Sequence, residues 1–246
     1  MLEMQEGNTA RTLPSAAEIE LLFRDVKGAL ISAARRVPLE AHATAYLRFP
    51  FGGRWAVANA RTKKHCIGRQ FGFDLIAEQD VRIFEHPPQE QKRLMEFASY
   101  GQPVFSPGRG TVVACVDDQP DLAPTPGKAV SAGFGNYAMI ATDKKEHVWM
   151  VHFMRGSLRV KVGSPVREGQ QIAQVGNSGT SSQPHLHIEM LDGLPSDLTQ
   201  AVTLDFAQSG IPFGFKNVIC ERKKRRAFAE RVVPRRMDLL SAPEPD

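Results

Sequence analysis

Between residues 101 and 190 the chain is short strand and turn almost throughout, and that spacing leaves room for little except a β architecture. Gly108 and Gly110 come just before the β-rich run Thr111-Val112-Val113-Ala114-Cys115-Val116. A Pro- and Asp-rich loop follows over 117–128. Gly135-Asn136 then introduces Tyr137-Ala138-Met139-Ile140-Ala141, and Asp143-Lys144-Lys145 turns the chain into Val148-Trp149-Met150-Val151-His152-Phe153. Over 160–176 valine-rich strands are punctuated by Gly163, Gly169 and Gly176, where a sharp bend or a positive φ is needed. Turn signals at such short intervals predict an antiparallel sandwich or barrel, mainly β.

At the end of this region stands Gln183-Pro184-His185-Leu186-His187-Ile188-Glu189-Met190. Leu186, Ile188 and Met190 share one parity, so as a strand the segment turns His185, His187 and Glu189 to the opposite face. Two imidazoles on one face suit a divalent metal, one as ligand and the other within reach of a metal-activated water. A pair of solvated histidines on an edge strand has the same pattern.

Upstream, Asp74 is a lone acid between Phe73 and Leu75. An unpaired carboxylate in such an apolar run is costly, and a metal or a cation offsets that cost; a loop or salt-bridge position does so too. Before that, Tyr46, Phe49, Phe51, Trp55 and Val57, broken by Pro50 and Gly52-Gly53, read as short strands with a turn. The polar stretch 78–98, with His86-Pro87-Pro88, reads as a connection holding a short helix over 90–97.

The flanks carry different signals. Ser15-Ala16-Ala17-Glu18 has the form of a capping box, and Ile19, Leu22, Phe23, Val26, Leu30 and Ala33 recur at helical spacing up to Pro38, which predicts an N-terminal amphipathic helix. Ser209-Gly210-Ile211-Pro212-Phe213-Gly214-Phe215 reads as a hairpin or loop closing onto apolar surface. From Lys216 the chain is expected to be a basic tail, helical or disordered, with Arg222-Lys223-Lys224-Arg225-Arg226 and Arg235-Arg236 in it. The expected organisation is therefore a helical extension over 1–44, a β-rich domain over 45–215 and a basic tail over 216–246.

In 246 residues, 42% hydrophobic and 24% charged, there is material for one substantial core and an appendage. The net charge of +4 favours an anionic partner without choosing one. Cys66, Cys115 and Cys220 are too few and too scattered for a disulfide framework, and none belongs to a Cys-x-x-Cys pair, so thiolate zinc is not expected. Residues 1–11 lack a basic start followed by an apolar run, and no apolar segment is long enough to span a bilayer. Taken literally, the chain is expected to be soluble and cytoplasmic, with no transmembrane segment.

Valine-rich strands with glycine punctuation also occur in lipoyl and biotinyl carrier domains, which present a modifiable lysine at a hairpin tip. No Met-Lys-Met-like tip stands at the matching place, and that reading leaves the two histidines unexplained. Taken together, Gly135-Asn136-Tyr137, the strand of His152, the segment 160–176, Asn177-Ser178-Gly179 and Pro184-His185-Leu186-His187 resemble the lysostaphin/LytM-type zinc metallopeptidases of peptidoglycan. The resemblance covers roughly 50–190 and implies the duplicated hybrid motif fold, a β-sandwich or split barrel. Carried over residue by residue, it implies that His185 is catalytic and that His187 binds Zn²⁺. It also implies a catalytic role for His152, although Met150 stands where a tyrosine is usual.

The family's His-x-x-x-Asp pattern departs here: Asp74 fits the acidic ligand, but Gln70 stands four positions before it. Neutral glutamine is a poor zinc ligand. The resemblance to a subset of relatives then implies His65, displaced upstream, as the missing imidazole; a solvated loop histidine is the other reading. His42, His86 and His147 have no matching motif and are expected at the surface.

The implied activity is that of a zinc metalloendopeptidase cutting peptidoglycan or another peptide substrate, with no nucleic-acid partner expected and a place in the cell envelope or outside the cell. The competing reading is a module with this fold that binds a partner or cell-wall peptide without cleaving it. Gln70 and Met150 are the kind of change such a module would carry.

Overall fold

The computed structural model describes residues 17–24, 30–37, 45–60, 71–90, 92–128, 132–144, 146–191 and 210–242. The chain divides into two compact units, 1–42 and 43–246.

In the first unit, β1 (Ala17–Arg24) and β2 (Leu30–Val37) form an antiparallel hairpin in which Leu21 faces Ala33 and Phe23 faces Ile31. This corrects the expected amphipathic helix. Ile19, Leu21 and Phe23 alternate with a period of two as readily as Ile19, Leu22, Phe23 and Val26 fit a period near 3.6, and Asp25-Val26-Lys27-Gly28 has turn composition.

The second unit is built on a large sheet. Its strands are β3 (Ala45–Arg48), β4 (Arg54–Ala60), β5 (Gly72–Ala77), β7 (Gly110–Val116), β8 (Asn136–Thr142), β9 (His147–Phe153), β10 (Pro165–Val166), β12 (Leu186–Leu191), β13 (Phe213–Arg222), β14 (Arg225–Val232) and β15 (Leu239–Ser241). They run in the order β10-β7-β8-β9-β12-β5-β4-β15-β13-β14, with β3 alongside β13. Every pairing is antiparallel except β3 with β13. A second small sheet pairs β6 (Pro103–Phe105) with β11 (Gln171–Gln174). The mainly β, sandwich-like architecture is the one the turn spacing predicted.

The main core collects one face of the central strands, with Val57, Phe73, Leu75, Val148, Met150, Leu186, Ile188 and Met190. It packs them against Val104 of β6, Ile172 and Ala173 of β11, and Phe213 and Phe215 of β13. Each large apolar side chain buried here contributes roughly 1.5–3 kcal/mol. Phe73 meets Phe213 edge to face at 4.9 Å, which ties the strand of Asp74 to β13. A smaller cluster on the far face holds Met139, Trp149, Val151 and Leu191.

Three further expectations need correction. The helix foreseen over 90–97 is only a 3₁₀ turn at Leu94–Glu96, while the α-helix of this connection is earlier, at α1 (Val81–Glu85). The segment after Lys216 is neither helical nor disordered where it is described, because β13, β14 and β15 belong to the large sheet. Asn217 has φ 50°, which breaks the alternation of β13 so that both Phe215 and Val218 reach the main core. His147 is buried rather than at the surface, only 8% exposed at the start of β9.

Candidate metal centre

Three adjacent strands, β9, β12 and β5, supply the site. On β12 the alternation is regular: Leu186, Ile188 and Met190 enter the main core, which leaves His187 and Glu189 on the other face. His187 is in register with Asp74 of β5 on one side and with Val151 of β9 on the other. His187 Nδ1 lies 2.7 Å from Asp74 Oδ1, and His187 Nε2 lies 2.6 Å from Glu189 Oε1. Glu189 is fully buried.

Two register shifts bring in the remaining side chains. The β8–β9 ladder passes from Tyr137 opposite Val151 to Asn136 opposite Phe153, so His152 is an inserted residue with φ 70°. Regular alternation would have placed His152 with Val148 and Met150 in the core. The bulge re-aims it to the face of His187, and its ring centroid stands 4.6 Å from that of His185 and 6.2 Å from that of His187. In the same way β4 inserts Ala58, so that Asn59 faces Asp74 and its Nδ2 donates to Asp74 Oδ2 at 2.7 Å. Met150 is fully buried in the main core, away from this face.

The loop 177–185 fixes the two outer imidazoles. His152 Nδ1–H donates to the Ser178 carbonyl at 2.8 Å, and His185 Nδ1–H donates to the Gln183 carbonyl at 2.8 Å. Because a carbonyl only accepts, Nε2 of each ring carries the lone pair when the ring is neutral. His185 Nε2 is 3.7 Å from Asp74 Oδ1. The Ser181 hydroxyl donates to Asn177 Oδ1 at 2.7 Å, closing the loop beneath His185. Gly135 and Gly179, with φ 72° and 74°, bring this loop and the start of β8 into backbone contact; a Cβ on Gly179 would stand 2.4 Å from Gly135 N.

The electrostatics follow from burial and pairing. Burial alone pushes the Asp74 carboxyl up, but the charge of His185 and the hydrogen bonds from His187 and Asn59 outweigh it and hold the group well below the usual carboxylate range. Burial pushes His187 down, yet its bonds to Asp74 and Glu189 raise it to about 10. His152 is held well below 6.5, first by burial and then by the neighbouring charges of His185 and His187. These groups line a pocket of about 150 Å³ together with Asn59, Ser181 and Gln183.

The structure thus brings together Asp74, His152, His185 and His187. His65 and Gln70 lie outside the described residues. Among the described residues no group of three or more His, Cys, Asp or Glu side chains is arranged to hold a metal ion. Sequence alone assigns no role to Glu189 or Asn59. The signal for Glu189 was present in the His-x-His-x-Glu parity; that for Asn59 was not, since a bulge in β4 decides where it points.

Residues 91–198 match the family model described as Peptidase family M23. Over this segment the chain is similar to the M23 peptidases. Among curated proteins, the chain is 32% identical over 110 residues to glycyl-glycine endopeptidase ALE-1 of Staphylococcus capitis, a match covering 42% of this chain and 26% of that one. It is 33% identical over 96 residues to lysostaphin of Staphylococcus staphylolyticus, covering 37% of this chain and 20% of that protein. The chain therefore spans only a minor part of the length of these relatives. Among solved structures, a zinc-containing peptidase from Vibrio cholerae aligns over 74% of this chain and 46% of its own, with 23% identity and a TM-score of 0.37. The M23 match begins after β5, so Asp74 lies upstream of it and is tied to it by the β5–β12 ladder.

Proposed function

We propose that the chain is a zinc-dependent metalloendopeptidase that hydrolyses peptide bonds, peptidoglycan cross-links being the substrate class to which the M23 relationship points. The supporting observation is the opposition of Asp74 and His187. A buried carboxylate oxygen and an imidazole nitrogen converge there on the wall of a small pocket, and the far nitrogen of that imidazole is held by a second buried carboxylate. This donor chemistry fits Zn²⁺: an acidic oxygen, an imidazole nitrogen, and the carboxylate behind the histidine that commonly orients such a ligand. Asp74 and His187 would hold the ion with His65 as third ligand.

Bound there, Zn²⁺ supplies a Lewis acid for the scissile carbonyl and acidifies water for attack. The chain's own residues do the rest. Asn59 holds the outer oxygen of Asp74 and so fixes its inner one, and Glu189 fixes the ring of His187. His152 and His185 keep their protons at Nδ1 on carbonyls, which leaves each Nε2 to take a proton from the attacking solvent or to pass one to the leaving amine. Low basicity at His152 keeps that ring neutral near pH 7.

The test is cleavage of cross-linked peptidoglycan and of glycine-rich peptides by the zinc-loaded protein, with and without a chelator and after zinc is restored. Cleavage abolished by chelation and recovered with zinc is the expected result. Stoichiometric zinc without chelator-sensitive cleavage would favour the binding module instead.

A further inference from the structure

A second depression of about 480 Å³ adjoins the pocket, lined by Asn59, Phe84, Glu85, His86, Ser182 and Arg236. Asn59, Phe84 and Ser182 belong to both, so an extended peptide leaving the reaction centre on this side enters the depression. Apart from Ser182, these six residues lie outside the segment that matches the M23 family model. Most of this wall therefore comes from parts of the chain that the family model does not match, β4, α1 and the segment between β14 and β15, while Gly127, which also lines it, lies inside the match.

Arg236, an exposed residue, is its cation. Its Nε–H donates to the Ala58 carbonyl at 3.2 Å, and its guanidinium carbon stands 5.9 Å from the centroid of Phe84. Ala58 is the inserted residue of β4, and the next residue, Asn59, holds Asp74, so Arg236 is tied to the backbone that shapes the metal centre. Arg54 pairs with Glu78 and Glu221, and Arg222 with Asp238. Arg236 has no carboxylate within ion-pair distance among the described residues. Glu85 faces the same depression without pairing to it, and its charge disfavours an anion at its own end. A guanidinium already anchored on a carbonyl and an aromatic ring loses little freedom when its remaining nitrogens grip a carboxylate in a fork.

Resting on the peptidase reading, we infer that this depression is a substrate subsite that receives a carboxylate-bearing residue of the peptide, with Arg236 as its specificity determinant. Such a preference differs from what the name glycyl-glycine endopeptidase states for one relative, because glycine offers no side-chain carboxylate.

The experiment compares matched glycine-rich peptides in which a single Glu or Gln is walked through the positions flanking the scissile bond, using the zinc-loaded full chain. At one position the Glu peptide should have kcat/KM roughly tenfold above the Gln peptide, carried mainly by KM. Arg236→Ala should bring that ratio to about one, and Arg236→Glu should turn the preference toward a Lys peptide. A ratio near one in the wild type at every position, or a preference that survives Arg236→Ala, overturns the inference while leaving the peptidase reading intact. Binding of the same peptides, followed by fluorescence anisotropy, separates the two failures. If nothing is cleaved, a Glu preference in binding that Arg236→Ala abolishes still supports the subsite, and equal binding of Glu and Gln peptides overturns it.

Discussion

His187 and Asp74 stand directly opposite each other across the β5–β12 ladder, Nδ1 to Oδ1 at 2.7 Å, although 113 positions separate them in the sequence. Antiparallel pairing alone brings a side chain upstream of the matched family segment to a histidine inside it. Everything else at the site is arranged around that pair.

Glu189 should act on the metal through His187. Glu189→Leu removes the buried acceptor of His187 Nε2, and zinc affinity should fall roughly 10–100-fold. Glu189→Gln, which keeps an acceptor oxygen without the charge, should fall between the two. Zinc titration against a competing chelator reads the difference, and an unchanged affinity in Glu189→Leu would remove the orienting role.

His152 occupies a backbone conformation that glycine adopts without cost. His152→Ala and His152→Gly should both lower turnover by roughly 100-fold or more with zinc stoichiometry retained. They should differ in stability: the glycine variant is expected to be about 1 kcal/mol more stable than the alanine variant, because it does not hold a Cβ at positive φ. Denaturant melts of the two variants check this; equal midpoints would mean that the bulge is not under strain.

Much of this was legible in the chain itself, and what was hidden was hidden for physical reasons. The alternation Leu186, Ile188, Met190 against His187 and Glu189 is a local property, so the faces of β12 could be read directly. So could the anomaly of Asp74 in an apolar run. The aim of His152 could not, because it depends on which residue of β8 is skipped in pairing, and a bulge leaves no mark in the composition of its own strand. The N-terminal hairpin is ambiguous in the sequence because its apolar residues satisfy two periods at once. The strands after Lys216 are hard to read in the sequence because Arg225, Arg226, Glu230 and Arg231 are exposed and resemble a solvated tail, while the burial of Val218 and Leu240 is tertiary information.

The two glycines beneath the site should tolerate no side chain. Gly179→Ala would place a methyl group 2.4 Å from Gly135 N at positive φ, and Gly135→Ala would meet the Ser178 carbonyl at 2.5 Å. Each should cost roughly 2 kcal/mol or more by thermal melt. Gly156→Ala, also at positive φ but with open space around it, should cost less. Equal losses at all three would deny the close approach.

His147 offers a test of pH dependence away from the metal centre. Its Nδ1 is buried with no hydrogen-bond partner among the described residues, and burial pushes its pKa below 6.5. Between that lowered value and 6.5 the unfolded chain binds more protons than the folded one, so stability contributed here is full above pH 6.5 and is lost as the pH falls below it. Melts of metal-free protein across pH 5–8 should therefore show a steeper acid decline in the wild type than in His147→Leu. Parallel curves would contradict the assignment.

Zinc content per chain is the most direct measurement. The wild type and the His152→Ala and His185→Ala variants should each carry about one Zn²⁺, while His187→Ala and Asp74→Ala should carry none and melt at the temperature of the chelated wild type. Stoichiometric zinc in His187→Ala would contradict the centre described above.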